Sequence, residues 1–428
     1  MQVLVLGGNG FIGGHVVSCV LRHGHRVTLA LRHPPKGPSL DPRLTVLRAD
    51  LSRDTRPEDW RPRLAGIDAI VNCAGILQQR PGQDIDAIHH RGPAALFEAC
   101  AAAGVRRVIH LSAISARPGT ATAYARSKCA GDDALAASGL DWVILKPSLV
   151  HGAGAYGGTA LMRAMALLPG FVPLPGDGRA AFNPIHAEDL AEDIARLLGP
   201  ATISRQVLEP MGPERVTLRD ILSALRCWLG APPAPLVPLP LPLVRLACRL
   251  GDLFGGPLSS TALAQLLAGN DGDPAPYAAA IGRMPRGFAA SLAETPVPPE
   301  ARWQARSYFL RPLLRLALAL VWLGSGLVGL LQSPATVLAF AGALGLGDNA
   351  GLAAGYGFSL LDLLIGLGVL CRWRPGPLAL LQVGVVAGYT AVLGIALPGL
   401  WLDPFGPLLK NVAVAAAALT LGRLEPER

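Results

Sequence analysis

The sequence predicts an α/β domain, built on a doubly wound parallel sheet, that is followed by a four-helix transmembrane bundle. Two observations predict this architecture. Apolar runs typical of buried strands alternate with amphipathic helical segments over residues 1–150. Four apolar stretches of 17 to 20 residues then follow one another between residues 313 and 421.

The bulk composition agrees with a partly membrane-embedded protein. The chain has 428 residues, of which 51% are hydrophobic and 16% are charged, and its formal net charge is +8. The positive charge is spread along the chain without basic runs, which argues against nucleic acid as a partner. The seven cysteines are scattered and form no C-x-x-C pair, so we expect small core residues in a reducing compartment rather than disulfides or a metal site.

The first 33 residues form a complete strand–turn–helix–strand pattern. Apolar strands are predicted at residues 2–6 and 26–31, and GGNGFIGG between them contains the spacing G-x-G-x-x-G. Such a turn lets the backbone approach a pyrophosphate, and the N-terminus of the following helix offers N–H groups to an anion. We therefore predict a Rossmann-like dinucleotide-binding unit. Its predicted cofactor contacts are Gly7, Gly8, Asn9, Gly10, Phe11, Ile12 and Gly13.

Further cofactor contacts are predicted where later strands end, because ligands of such sheets bind at the carboxyl ends of the strands. These predicted contacts are Arg32, Asp50, Leu51, Asn72, Cys73, Ala74, Gly75, Lys146 and Pro147. Arg32 stands where an acidic residue would bind the ribose hydroxyls of NAD. A cation there meets the 2′-phosphate of NADP, so the sequence favours NADP over NAD. Asp50 is either a contact to the adenine or a helix cap.

A tyrosine and a lysine form the candidate catalytic pair. Tyr124 and Lys128 lie one turn apart on a helix predicted over residues 121–137, so they share one face. We expect the ammonium to lower the pKa of the phenol, which could then exchange a proton with a carbonyl or alcohol oxygen. Ser112 follows a predicted strand end and is placed to hydrogen-bond that oxygen. Tyr124 and Lys128 are also expected to contact the cofactor; the alternative is a surface tyrosine and a solvated lysine.

The ordered motifs of residues 1–225 resemble those of a known family. The motifs are GGNGFIGG (7–14), ADL (49–51), NCAG (72–75), SAIS (112–115), YARSK (124–128), LKPSLVHG (145–152) and NPIHAEDLA (183–191). Together they resemble extended or atypical short-chain dehydrogenases/reductases of the NAD-dependent epimerase/dehydratase superfamily, in particular NmrA-like proteins and the nucleotide-binding accessory subunit of respiratory complex I. The resemblance implies that Tyr124 is the acid/base, Lys128 its activator and ribose ligand, and Ser112 the residue that orients the reacting oxygen.

The middle of the chain is predicted to connect these two parts. Residues 151–230 are rich in Gly and Pro and are expected to form a small substrate-covering part of a domain spanning residues 1–230. Residues 231–302 are expected to hold a proline-rich linker (231–242) and amphipathic helices. The helix predicted at 243–254 has Leu243, Leu246, Ala247, Leu250, Leu253 and Phe254 on one face and Arg245, Arg249 and Asp252 opposite. It either packs on the globular domain or lies at a membrane interface.

Residues 303–428 are predicted to be a membrane domain. The apolar stretches 313–331, 352–371, 378–397 and 405–421 are each long enough to cross about 30 Å of hydrocarbon. A fifth, shorter apolar piece at 335–346 is more typical of an interfacial helix. The segments FLRPLLRLALALVWLGSG (309–326) and LDPFGPLLKN (402–411) resemble the DoxX-like family of small four-helix membrane proteins.

The placement of arginines predicts the orientation in the membrane. Arginines precede or open the first span, separate the second from the third and follow the fourth. They are Arg302, Arg306, Arg311, Arg315, Arg372, Arg374, Arg423 and Arg428. The positive-inside rule then predicts a multi-pass protein of the cell inner (cytoplasmic) membrane, with its N-terminal domain and C-terminus in the cytoplasm. Asp362 in the second span is a candidate functional group, and Lys410 in the fourth can snorkel to the interface.

Three functions are compatible with these features. The first is a membrane-anchored NAD(P)-dependent oxidoreductase that transfers hydride to or from a small or lipophilic carbonyl or alcohol, such as a quinone or isoprenoid. The second is a non-catalytic NAD(P)(H)-binding sensor or accessory subunit of a membrane protein complex. The third is a nucleotide-sugar epimerase or dehydratase. The expected partners are a small-molecule substrate and membrane lipid.

Overall fold

The computed structural model describes residues 1–35, 37, 39, 41–79, 83–105, 107–117, 119–120, 122–199, 203–254 and 258–425, without the side chains of residues 253 and 254. The described chain divides into two compact units, Met1–Arg306 and Ser307–Arg428. Arg428, which contributed to the predicted orientation, lies outside the described residues.

The first unit is built on a seven-stranded sheet in which all strand pairs are parallel. Its strand order is β11-β6-β5-β4-β1-β2-β3, and three further pairs of short strands lie outside it. The strands are β1 Gln2–Leu6, β2 Arg26–Leu31, β3 Leu44–Arg48, β4 Ala69–Asn72, β5 Arg107–Leu111, β6 Asp141–Leu145, β7 Val150–His151, β8 Val172–Pro175, β9 Ala181–Phe182, β10 Ile185–His186, β11 Gln206–Leu208, β12 Val216–Thr217 and β13 Leu236–Leu239. The predicted doubly wound Rossmann-like sheet is confirmed.

The helices of the first unit cover both faces of this sheet. They are α1 Phe11–Arg22, α2 Pro57–Trp60, α3 Gly92–Ala103, α4 Ala123–Ala136, α5 Gly157–Ala166, α6 Ala187–Leu197, α7 Leu218–Trp228, α8 Leu241–Phe254, α9 Ser260–Ala268, α10 Ala275–Ile281 and α11 Phe288–Glu294. Alternate residues of β1 enter different cores, as a strand requires. Val3 and Val5 pack with α1 and α6, whereas Leu4 and Leu6 pack with α3 and α4.

A π-helical turn, Ala87–Arg91, precedes α3. The sequence predicts one helix over residues 84–103 that is broken at Gly92-Pro93, and the structure changes from the π turn to α-helix at that point. Pro93 lies in the first turn of α3, where its missing N–H costs no hydrogen bond. The turn places His89 against α4, which carries the predicted catalytic pair.

The proline-rich stretch that we expected to be a linker is part of the first unit. Its residues Leu236–Leu239 form β13, which pairs in parallel with β8. Proline is tolerated in such a two-stranded edge because only one side of each strand needs its N–H groups. Residues 231–306 belong to the first compact unit, Met1–Arg306.

The amphipathic helix α8 packs through a face other than the predicted one. Cys248 is 3% exposed and Val244 is half-buried, whereas Leu243, Leu246 and Leu250 of the predicted apolar face are 62%, 55% and 48% exposed. Gly251 allows this orientation, because a Cβ there would lie 2.2 Å from the carbonyl oxygen of Leu258. The apolar periodicity located the helix, but the close backbone approach at Gly251 decides which side faces inward.

The second unit is helical, and α12 enters it from the first. Its helices are α12 Pro299–Leu330, α13 Pro334–Ala343, α14 Asp348–Leu370, α15 Pro375–Ala396 and α16 Pro407–Leu424. Within the described chain, α12, α14, α15 and α16 are the four helices that are long and apolar enough to cross a membrane. The shorter α13 corresponds to the fifth apolar piece. This arrangement confirms the predicted four-helix membrane domain.

Polar side chains inside the second unit are hydrogen-bonded to one another. The hydroxyl of Tyr389 donates to Asp362 at 2.9 Å, and the indole N–H of Trp322 donates to Gln382 at 2.9 Å. Asp362 therefore has a partner on the next helix, as expected for a carboxyl group in an apolar bundle. Lys410 is exposed, which is compatible with snorkelling.

A buried carboxylate ties residues 275–286 to α6. The side chain of Asp193 is fully buried, and it accepts hydrogen bonds from the hydroxyl of Tyr277 and from Nε of Arg283, the latter at 2.7 Å. A buried carboxylate is stable only when such partners compensate its lost hydration. This cluster holds α10 on the face of the sheet that is covered by α6.

Replacing Arg283 with alanine should therefore destabilise the first unit by about 3 kcal/mol, because it leaves Asp193 buried without its cation. The matched control is Arg215→Ala, which removes an exposed arginine paired with Asp271 at 2.8 Å. That change should cost about 1 kcal/mol or less. Urea unfolding of the purified full-length variants, followed by near-ultraviolet circular dichroism, measures both; equal losses would contradict the buried-pair explanation.

Candidate active site

The turn between β1 and α1 is shaped by two glycines that no other residue can replace without a clash. Gly7 has φ +70°, and a Cβ on it would lie 2.8 Å from the backbone of Ala74. A Cβ on Gly13 would lie 2.2 Å from the carbonyl oxygen of Gly7. The turn is closed by the N–H of Gly10, which donates to the carbonyl of Gly7 at 2.9 Å. The backbone is thus packed tightly against the end of β4.

The first turn of α1 is left open to a ligand. The N-cap is Gly10, and no side chain caps the helix. Uncapped N–H groups and the helix dipole favour an anion at this end. The predicted contact residues of the turn differ in burial, since Asn9 is exposed, Gly8 is buried, and Phe11 and Ile12 are half-buried. This geometry fits the pyrophosphate of a dinucleotide.

Arg32 and Asp50 follow the ends of β2 and β3. Arg32 is exposed one residue beyond β2, where a 2′-phosphate would need a cation. One carboxylate oxygen of Asp50 accepts from the N–H and the hydroxyl of Ser52, at 3.0 Å and 2.6 Å. Asp50 thus caps a turn at residues 51–53 and not a helix, because the next helix begins at Pro57 with Arg56 as its N-cap. The side chain of Leu51 is buried in the core.

The loop after β4 is fixed by a fully buried amide. Asn72 accepts from the N–H of Ala74 at 3.1 Å, and its amide nitrogen lies 3.1 Å from Nδ1 of His110. Burial raises the pKa of the Cys73 thiol to about 12, so this group is neutral. Asn72 thus supports the loop backbone, and the following Gly75 leaves room beside the candidate lysine.

Lys128 is anchored at the carboxyl ends of two neighbouring strands. Its Nζ donates to the carbonyl oxygens of Leu111, at 2.8 Å, and Ala74, at 3.3 Å. A Cβ on Gly75 would lie 3.3 Å from the same Nζ. The side chain is 4% exposed, and burial lowers its pKa to about 8. This lysine is a held cation within the site, so the solvated alternative does not apply.

Tyr124 occupies the same helix face but has a pKa opposite to the expected direction. Its half-buried ring meets the ring of His89 edge-on, with centroids 5.4 Å apart. Burial, followed by the nearby charge of Asp132, raises the pKa of Tyr124 to about 12. The expected lowering by Lys128 is wrong for the free protein, because burial of the phenol dominates. Tyr124 is therefore protonated at neutral pH.

Ser112 and Lys146 are joined by Asp132, a residue that sequence reasoning missed. The hydroxyl of Ser112 donates to Oδ2 of Asp132 at 2.8 Å, and Nζ of Lys146 lies 3.0 Å from the same oxygen. Lys146 also donates to the carbonyl of Ala116 at 2.6 Å. Burial raises the pKa of Asp132. Ser112 and Lys146 thus both have hydrogen-bond partners within the protein. The neighbouring Pro147 is buried.

His89 is a second missed residue, and it supports Tyr124 through the backbone. Nε2 of His89 accepts from the N–H of Ile76 at 3.0 Å, so Nδ1 carries the proton that reaches Ser127 at 2.9 Å. Ser127 in turn donates to the carbonyl of Tyr124 at 3.0 Å. Burial lowers the pKa of His89 to about 2, so it stays neutral. The feature that points to His89 is the π turn that contains it, because such turns often mark functional sites. This turn is seen in the structure and not in the sequence.

Away from this site, the described part of the chain contains one group of side chains of the types that bind metal ions. Cys19 of α1 and His23, which caps the C-terminus of α1, meet Glu192 of α6, and their donor atoms all lie within 4.8 Å of one another. Burial, and then the hydrogen bond to Glu192, raises the pKa of Cys19 to about 11, so the thiol is protonated. Arg196 also binds Glu192, at 3.0 Å. The group satisfies its own hydrogen bonds, and we assign no metal to it.

Two protein families match the two units. Residues 7–165 match the NAD(P)H-binding family, and residues 319–419 match the DoxX-like family. The chain thus carries a segment similar to the NAD(P)H-binding family, followed by a segment similar to the DoxX-like family. The first match contains the glycine turn, Lys128 and Tyr124, and the second contains most of the apolar helices.

Relatives of the NAD(P)H-binding domain carry several names. A protein of Caulobacter vibrioides named ceramide reductase is 28% identical over 254 residues, which is 59% of this chain and 78% of the relative. The mitochondrial NADH dehydrogenase [ubiquinone] 1 alpha subcomplex subunit 9 of Arabidopsis thaliana is 24% identical over 262 residues, 58% of this chain and 63% of the relative. The solved structure of MoeE5 with UDP-glucuronic acid and NAD matches with a TM-score of 0.54 and 21% identity, covering 72% of this chain and all of MoeE5. This likeness shows that the two proteins share a fold.

A single methyl group on the turn between β1 and α1 should weaken nucleotide binding. Gly13→Ala places its Cβ against the backbone oxygen of Gly7 and so distorts the pyrophosphate cradle; we expect at least a tenfold weaker affinity for NADPH and NADH. The matched control is Gly14→Ala, whose Cβ has its nearest contact at an ordinary 3.7 Å. Calorimetric titration of both variants measures the effect, and equal affinities would contradict the assigned role of Gly13.

Proposed function

We propose that the protein is a membrane-anchored NAD(P)H-dependent reductase of the short-chain dehydrogenase/reductase type, which reduces a carbonyl group on a lipophilic substrate. The observation that carries this proposal is the anchoring of Lys128 beside Gly75 on the same helix face as Tyr124. An intact acid/base pair at the carboxyl edge of the sheet, next to a nucleotide cradle, favours catalysis over binding alone. The same groups would serve the reverse oxidation of the alcohol.

The proposed chemistry follows from the protonation of the two residues. A bound reduced nicotinamide would supply the hydride that attacks the carbonyl carbon. Tyr124, with a pKa of about 12, holds a proton that it can donate to the developing alkoxide oxygen. Lys128 lowers the cost of the phenolate that remains, because its ammonium lies on the same helix face one turn away. Ser112 donates its hydroxyl proton to Asp132, so in the free protein this proton is not available to a substrate.

The proposed substrate class and cofactor have separate supports. Four apolar helices in the same chain and the relative named ceramide reductase support a lipophilic substrate. A quinone or isoprenoid carbonyl remains within this class. Arg32, exposed beyond β2, supports NADPH over NADH. The arginines that flank the spans support an inner-membrane protein with a cytoplasmic N-terminal domain.

The test is nucleotide consumption by the purified protein with a panel of long-chain ketones, quinones and isoprenoid carbonyls. We expect NADPH oxidation, and we expect Tyr124→Phe to lower kcat by about 10²–10⁴-fold because the proton donor is lost. The nucleotide affinity of this variant should stay near that of the wild type, which separates a catalytic loss from misfolding. Turnover by Tyr124→Phe at the wild-type rate would overturn the assigned mechanism.

The proposed mechanism also predicts a pH dependence. Lys128 has its pKa lowered to about 8, so it is an ammonium below that pH and a neutral amine above it. Because Tyr124 stays protonated up to about pH 12, Lys128 alone sets the fall of kcat/KM on the alkaline side of the pH profile. We expect kcat/KM for carbonyl reduction to fall about tenfold per pH unit above pH 8. Lys128→Arg, which keeps its charge, should shift this limb upward, and a profile that is flat to pH 10 would contradict the role of Lys128.

A nucleotide-binding accessory subunit is the second candidate. The relative named as a NADH dehydrogenase subunit favours it, as does the engagement of Ser112 and Lys146 by Asp132. This candidate expects tight nucleotide binding, no consumption with any acceptor, and co-purification with a membrane complex. The likeness to solved sugar-nucleotide enzymes concerns the fold, so an epimerase or dehydratase activity has no support of its own beyond that fold.

A further inference from the structure

The helix α8 carries an apolar stripe that faces away from the protein. Leu243, Leu246 and Leu250 recur at helical spacing and are each about half exposed or more. We call these three residues the leucine stripe. Single exposed leucines are ordinary, but three in one stripe form a continuous apolar surface. Val244 and Cys248 mark the buried side of the helix, and α8 packs against α9.

Positive charge accompanies the leucine stripe. Arg245 and Arg249 are both exposed on α8. By helical spacing, Arg249 lies beside Leu246 at the edge of the stripe, whereas Arg245 lies farther round the helix, on the side opposite the stripe. At the N-terminal end of the helix, Arg179 and Arg219 line an open cavity together with Leu241 and Asp177, and the Asp177 carboxylate lies 3.6 Å from Nε of Arg179. The acidic residue of the helix, Asp252, is partly occupied in accepting from the N–H of Ser260 at 3.2 Å. The surface therefore combines apolar side chains with cations, as interfacial helices do.

We propose that the leucine stripe docks on the surface of a lipid bilayer that contains anionic lipids. The leucines would enter the boundary between headgroups and acyl chains, and Arg179, Arg219 and Arg249 would meet headgroup phosphates. The same chain carries four helices suited to cross a bilayer, so a membrane is always within reach of this unit. Exposed cations match an anionic lipid surface, whereas an apolar protein partner would not require them.

The position of α8 gives this docking a consequence for the candidate site. Its neighbour α9 carries Gln265, whose side-chain nitrogen lies 3.4 Å from the hydroxyl of Thr122, the N-cap of α4. Tyr124 is the second residue of that helix. A bilayer bound to α8 would thus lie one helix away from the helix that bears the proposed catalytic pair. This consequence rests on the proposed function, whereas the docking itself does not.

The test uses the full-length protein in nanodiscs and a nitroxide at Leu246→Cys. The exposed cysteines of the described chain, Cys227 and Cys371, are first replaced with serine. The control label is at Glu98→Cys, an exposed position on α3. Collision rates with oxygen, which concentrates in lipid, and with a water-soluble nickel chelate report where each label lies. Titration of each labelled protein with NADPH verifies that the first unit is folded.

In discs containing phosphatidylglycerol, we expect the label at position 246 to collide several-fold more with oxygen than with nickel, while the label at position 98 stays in water. Arg245→Gln combined with Arg249→Gln should return position 246 toward the water-exposed value. Equal collision ratios at the two positions would overturn the proposal. Protection of position 246 from both reagents would also overturn it, because a protein partner would then cover the stripe. Neither result depends on whether any carbonyl is reduced.

Discussion

The close packing of the first glycine turn against the end of β4 is the constraint on which the rest of the site depends. Gly7 touches the backbone of Ala74, and Gly13 touches the carbonyl of Gly7, at distances that exclude any side chain. This packing leaves the first turn of α1 open beside the loop that holds Gly75. The carbonyl of Ala74 also binds Lys128, so one loop connects the nucleotide cradle to the candidate catalytic lysine.

Burial decides how the groups at this edge behave. Burial lowers the pKa of Lys128 to about 8 and raises the pKa of Tyr124 to about 12. Both values lie above neutral pH, so both groups carry a proton there. Asp132 compensates the buried charge of Lys146 and fixes Ser112. A protonated phenol beside a held ammonium suits proton donation to an oxygen, which is the direction that carbonyl reduction requires.

Local sequence patterns predicted the parts of the structure that follow from local physics. The spacing of Gly8, Gly10 and Gly13, the Tyr124–Lys128 pair and the four apolar spans each depend on short-range geometry or composition. The role of Asp132 depends on its contacts with Ser112, which follows β5, and with Lys146, which follows β6. These contacts exist only once the sheet has formed, so the sequence alone did not show them. The place of Asp132 four residues after Lys128 was a signal that helical spacing offered. The inward face of α8 likewise depended on a distant backbone contact, at Gly251 and Leu258.

The most direct test of this account is nucleotide binding by the intact protein, because every proposed step begins with a dinucleotide on α1. Isothermal titration calorimetry in nanodiscs should give saturable binding of one nucleotide per chain, with NADPH bound more tightly than NADH if Arg32 meets the 2′-phosphate. The absence of heat with both reduced and oxidised nucleotides at millimolar concentration would contradict the account.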